Sequence, residues 1–210
     1  MAINWGALFQ GTMEHLFLIY LSLFVSIGVA VPMAIIALRS KKFAKVTNII
    51  ANFIQAIPSF AVVAIAVPLI GIGFMPAIFA ITLRILLPIY KNTYTGLSNV
   101  EKTQLDYAKA IGLTKKQILW KVRVPNAMPG FFSGVKFSAV LANSIAILTA
   151  VIDSGGLGGF VFRGLASYDI NKILMGAIPT IIIAVLMELL IIALEKEYVP
   201  RNLRNERSDS

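Results

Sequence analysis

Along the chain, apolar residues gather in long blocks and polar residues in short ones. A bilayer core takes about 20 apolar residues as an α-helix, each adding roughly 1.5 Å. Five blocks meet or approach that length: Leu16–Leu38, Ile49–Ile72, Phe74–Tyr90, Phe131–Ile152 and Ile173–Leu194. The third is short, and only "GIG" joins it to the second, a tight turn that glycine's permissive backbone allows. The pattern predicts an all-α polytopic membrane protein, one domain over residues 1–210 with five spans.

One polar block is far longer than a connection needs. Ser98–Pro129, between the third and fourth spans, carries helix punctuation. Ser98 with Glu101 has capping-box spacing, which predicts a helix starting there, running through Leu105 and Ala108. It should stop at Gly112, the residue type that tolerates the left-handed C′ position. Thr114 with Gln117 makes a second capping box. The helix after it carries Ile118, Leu119 and Val122 on one face, Lys115, Lys116 and Lys121 around the rest, and should end before Pro125. Two readings fit: an amphipathic helix lying on the inner leaflet and held by anionic lipid, or a compact knob shaped for a groove on a partner.

Composition supports the membrane class. The 210 residues are 58% hydrophobic and 14% charged, where soluble domains carry about 25% charged residues. A net charge of +9 invites a nucleic-acid reading, but the cations are divided among three loops instead of sharing one face. Four lie in Arg39–Lys45, seven between the third and fourth spans, and four after Leu194 (Lys196, Arg201, Arg204, Arg207), against two, Arg163 and Lys172, on the other side. Cytoplasmic loops hold such an excess. The N-terminus is therefore expected outside, the tail 195–210 inside and frayed, and the Gly-rich loop 153–171 outside. The start lacks a basic n-region and a small-residue cleavage site, so no removable signal peptide is read.

Polar residues within the spans are the remaining candidates. Gly134, Ser138, Ala142, Ala146 and Ala150 recur at every fourth position of the fourth span, a stripe for close helix approach. Ser138, Asn143, Ser144 and Thr149 either line a passage for a small zwitterion or bond neighbouring backbone. Arg84, Lys136 and Glu188 each lie seven residues inside a cytoplasmic span end, about 10 Å deep. Glu188 is expected to pair with Arg84 or Lys136; snorkelling cations are the alternative. Prolines at 32, 58, 68, 88 and 179 allow kinks. His15, the single histidine, lies at the outer edge of the first span and is expected at the interface, not in a metal or catalytic site.

The run Asp106-Tyr107-Ala108, then Gly112, Ile118, Val122, Val124 and Pro125, resembles the E-A-A loop of ABC-transporter permeases. Asp106 replaces the family's glutamate, Tyr107 its first alanine and Val124 its leucine. The resemblance implies a type I ABC importer-like fold in a bacterial cell membrane, with Asp106, Tyr107, Ala108, Gly112, Ile118 and Pro125 in a coupling loop that docks on a cytoplasmic ATPase. "IQAIPSFAVVAIAVPLIGIG", "LLPIYKNTYTGL", "DSGGLGGFVFRGL" and "MGAIPT" resemble permeases of the osmoprotectant uptake family, importers of glycine betaine, carnitine or choline. Methionine-import permeases, which also have a "GGLG" segment, are the nearest alternative. By resemblance Gly155, Gly156, Leu157 and Gly158 close an external gate, and a second permease chain and an extracytoplasmic binding protein complete the system.

No phosphate-cradling loop occurs; the glycines of 153–171 lack a following lysine-serine/threonine. The chain is thus expected to hold no cofactor, with ATP and Mg bound by the partner ATPase, and to be no enzyme. Absence of cysteine excludes thiolate metal sites, and no metal site or nucleic-acid partner is expected. An ion-coupled carrier is the rival from another class. Glu188 would suit it, but it would not need the capped double helix.

Overall fold

The Asn4 side chain accepts a hydrogen bond from the backbone N–H of Ala7 (3.0 Å) and so starts the first helix. In the computed structural model, which describes residues 4–200, that helix (α1) runs Trp5–Arg39. Ser40 is extended; its hydroxyl accepts from the N–H of Phe43 and starts α2, Lys41–Ala56. Ile57 precedes Pro58 and is pushed out of the helical region (ψ 129°), which ends α2. The chain resumes as α3, Ser59–Ile70, at 100° to α2. Ile49–Ile72, expected as one span with kinks allowed at Pro58 and Pro68, is therefore broken sharply at Pro58. It is a bent pair that counts as one span only if the two halves are taken together.

The "GIG" turn behaves as predicted: Gly71 (φ +99°) and Gly73 (φ +106°) take a backbone that side chains rarely adopt. It leads into α4, Phe74–Ser98, which is longer than the block Phe74–Tyr90. Two short helices follow, α5 (Lys102–Ala110) and α6 (Lys115–Ile118). A π segment, Leu119–Arg123, then carries the chain without a break into α7, Val124–Leu148, and a 3₁₀ turn, Thr149–Ile152. Past the Gly-rich loop lie α8, Gly158–Ala166, and α9, Ile170–Tyr198. The helix thus continues beyond Glu195, where a frayed tail was expected; Arg201, Arg204 and Arg207 fall outside the described residues.

Among the described residues, four helices are long and apolar enough to cross a membrane, and the bent pair makes five if it is taken as one span. α4 lies at the centre, along α1 on one side and α7 on the other. Small residues permit this: Ala30, Ala34 and Ala37 of α1, Ala77 and Ala80 of α4, and Ala142 and Ala146 of α7 are all buried. A Cβ at Gly130 would stand 2.8 Å from the carbonyl oxygen of Asn92, and one at Gly134 only 3.1 Å from the Cα of Ile89. The stripe beginning at Gly134 therefore faces the core, as its spacing predicts. α9 packs on α7 and α8, with most of its surface exposed.

Candidate functional site

At the end where α4 finishes and α7 begins, the 98–129 segment forms a knob. Ser98 closes α4 instead of opening a helix; α5 starts after Glu101, whose side chain makes no cap. The predicted first capping box is thus corrected, because α4 keeps its own hydrogen bonding through Ser98 and leaves only three residues to turn. Gly112 does end α5: at φ +82° it lets the N–H of Leu113 reach the carbonyl of Ala108 (3.0 Å) and its own N–H that of Lys109 (2.9 Å). The second box forms in full, with the Thr114 N–H donating to Gln117 Oε1 (2.8 Å) and the Gln117 N–H to Thr114 Oγ1 (3.3 Å).

Pro125 does not stop the helix. The Val124 N–H bonds back to Leu119 across the π turn, and this wider turn takes up the proline. Inward, Ala108, Ile118 and Leu119 are buried, and Arg123 donates to the carbonyl of Leu97 (2.5 Å), tying the knob to α4. Outward, Tyr107 (74% exposed), Ile111 (76%) and Trp120 (55%) stand in solvent. Asp106 is exposed and pairs with Lys109 at 2.9 Å. Ile111 and Trp120 were not singled out in the sequence; their signal was large apolar side chains on otherwise polar faces.

At the opposite end, the Gly-rich loop lies on α1. The Gly156 N–H donates to Glu14 Oε2 (2.9 Å), and Gln10 donates to Glu14 Oε1 (2.8 Å). Gly155 and Gly156 take φ of +79° and +82°. Leu157 is fully buried, and Gly158 lies so close to the Ile147 carbonyl that no Cβ would fit. The four candidate gate residues therefore form a packed plug. Glu14, which anchors it, was missed in the sequence because its partner is 142 positions away.

The polar span residues are mostly spent inside the chain. Ser138 donates to the Ile85 carbonyl (2.9 Å) and Thr149 to that of Ala146 (3.0 Å). Asn143 Oδ1 lies 3.1 Å from Nε2 of a fully buried His15, and Asn143 donates to the Thr180 carbonyl (3.4 Å). His15 is thus not interfacial, and of the four candidate pathway residues only Ser144 is exposed. The expected ion pair is also corrected. Lys136 Nζ meets Glu195 Oε2 at 2.6 Å, Arg84 donates to the carbonyls of Ile54, Gln55 and Ile57 (2.9–3.2 Å), and Glu188 is exposed. Continued helix past Leu194 is the reason: it brings Glu195 within reach of Lys136. Among the described residues, no group of three or more potential ligands gathers as a metal site.

The family described as "Binding-protein-dependent transport system inner membrane component" matches residues 4–201. The chain belongs to this family. Relatives of this transport component include the carnitine transport permease protein OpuCB of Listeria monocytogenes, 36% identical over 97% of this chain and 94% of that protein. Another is the glycine betaine/carnitine/choline transport system permease protein OpuCB of Bacillus subtilis, 35% identical over 99% and 95%. Among solved structures, an inward-facing form of the MetNI methionine ABC transporter matches 95% of this chain and 100% of that one, with a TM-score of 0.86 at 18% identity. That likeness shows the fold: this binding-protein-dependent transport component is an all-α polytopic membrane protein built like a type I ABC importer permease.

Proposed function

We propose that the chain is the permease subunit of an ATP-driven importer of osmoprotectants, with glycine betaine, carnitine and choline as substrate class. The observation that carries this is near full-length likeness, at 35–36% identity, to permeases named for those solutes. The fold neighbour named for methionine shares only 18% of its sequence and carries no substrate argument. The described residues of one chain offer four or five spans, so two permease chains, identical or related, would enclose the path. Two ATPase subunits would bind ATP and Mg and dock on the 98–129 loops. Exposed Tyr107, Ile111 and Trp120 support that reading, since a bare apolar knob wants a groove. The knob would lie in the cytoplasm, with the N-terminus and the Gly-rich plug on the side of the binding protein, in keeping with the distribution of lysine and arginine.

The permease itself does no chemistry in this reading. It needs two arrangements of similar energy that ATP binding and hydrolysis bias in turn. The test is uptake of labelled glycine betaine, choline and carnitine in hyperosmotic medium, by cells with and without the chain and with excess unlabelled methionine. Chain-dependent uptake that ignores methionine is expected. Uptake that persists without the chain, or that methionine abolishes, would reject the substrate class.

A further inference from the structure

Among the described residues, the Glu188 side chain takes part in no hydrogen bond or ion pair. Its neighbours Val185, Leu186, Leu189 and Leu190 are all exposed apolar residues of α9. An acidic group at such a place is costly against lipid, and intramembrane acids face water or a counter-charge. The two cations at similar depth are engaged elsewhere, Lys136 by Glu195 and Arg84 by the carbonyls at the end of α2.

Two contacts show how α7 and α9 lie together: Lys136 meets Glu195, and Asn143 meets the carbonyl of Thr180. The helices are antiparallel, so Glu188 stands at a level between Lys136 and Asn143. Glu188 and Glu195 are seven residues apart, close to two turns, and share the side of α9 that meets Lys136. On α7, Val140 and Ser144 follow Lys136 at steps of four and are exposed, as is Phe137.

The geometry points to a solute-binding groove between α7 and α9 in which the Glu188 carboxylate takes the trimethylammonium head of a quaternary amine in transit. Phe137, Val140 and Ser144 form the other wall, and the Lys136–Glu195 pair closes one end. This rests on the substrate class proposed above. A trimethylammonium group has no N–H to donate, so a site for it needs charge and contact instead of a hydrogen-bond array. A carboxylate with an exposed aromatic ring supplies both. Because the carboxylate is single, binding stays weak enough for release.

The chain contains no cysteine, so Ser144→Cys, on the wall that faces Glu188, introduces its only thiol and keeps the carboxylate. In vesicles holding the complete transporter, trimethylammonium-ethyl methanethiosulfonate, a permanently charged reagent, should label that thiol, and saturating choline or glycine betaine should slow labelling at least tenfold. Glu188→Gln should raise the KM for choline uptake about tenfold or more while the subunits still co-purify. A thiol that stays unlabelled, or labelling that neither solute slows, overturns the site. Loss of subunit association in Glu188→Gln overturns it in favour of a contact with the second permease chain. If the wild-type transporter takes up no quaternary amine, the substrate class fails and the groove's ligand with it. Wild-type uptake with unprotected labelling rejects the groove alone.

Discussion

A Cβ at Gly155 would stand 2.5 Å from Glu14 Oε2, and one at Gly156 3.3 Å from Nδ1 of His15. Both residues also sit at positive φ, which costs a substituted residue about 1–2 kcal/mol before any clash. Gly155→Ala should therefore push the Glu14 carboxylate off the Gly156 N–H and lower both thermal stability and uptake. The clash is with the end of a flexible side chain, so truncating that side chain should relieve part of it. In a double-mutant cycle, Gly155→Ala should cost less in a Glu14→Ala background than in the wild type. Strictly additive shifts in the melting midpoint of the detergent-purified transporter would show that Glu14 does not anchor the plug. The glycines were legible because their residue type announces unusual backbone. Glu14 was not, since an acid at the N-terminal end of an apolar helix looks like any surface charge until its partner is known. At the other end of the molecule, Tyr107→Ala and Ile111→Ala should leave folding unchanged, since both side chains stand in solvent. Together they should reduce co-purification of the ATPase at least tenfold; undiminished recovery would remove the apolar knob from the docking surface.

Elements divide by how local their causes are. The Thr114–Gln117 box closes within three residues, and sequence spacing was enough to find it. Thr114→Ala should cost about 1 kcal/mol of local stability, seen as faster hydrogen exchange over residues 115–118; unchanged exchange there would mean that packing alone holds the short helix. The bend between α2 and α3 has a different origin. Pro58 permits it, but Arg84, 27 to 30 positions away, donates to the carbonyls of Ile54, Gln55 and Ile57 at the break. A run of apolar residues cannot reveal such a distant donor, and so Ile49–Ile72 read as one span in which Pro58 allows a kink, with no sign of a 100° break. A lysine presents a single ammonium where the guanidinium presents a fork of donors. Arg84→Lys should keep part of the uptake and Arg84→Ala almost none, with hydrogen exchange rising over residues 54–60 in the same order. Equal behaviour of both variants and the wild type would leave the proline solely responsible for the bend. Pro125 gives the converse lesson: a residue that normally stops helices is absorbed by a π turn, because α7 is held in place by its packing on α4.

For the whole molecule, α9 matters because it packs mainly on α7 and α8 and leaves much of its surface bare. Its buried positions are sparse, and most of its length is exposed. Its polar contacts with α7 include Asn143 with the Thr180 carbonyl and Lys136 with Glu195. These are 15 residues apart along α9, about 22 Å at helical rise. The all-α membrane class, the position of the knob between α4 and α7 and the family were all legible, since they follow from apolar block lengths and a local motif. The choice of Glu195 over Glu188 was not. The two share a side of the helix, and counting from an assumed span end at Leu194 left Glu195 outside it. Both members of the actual pair are partly shielded, at 29% and 15% side-chain exposure, so removing one partner leaves the other poorly solvated. Reversing one charge goes further and sets like charges side by side. Lys136→Glu and Glu195→Lys should each reduce the yield of assembled transporter severalfold, and the double exchange should recover at least half of it. Lys136→Glu with Glu188→Lys should recover nothing. If that second combination rescues while the first does not, α9 is displaced along its axis by about two turns in the working transporter, and the groove drawn from this register moves with it.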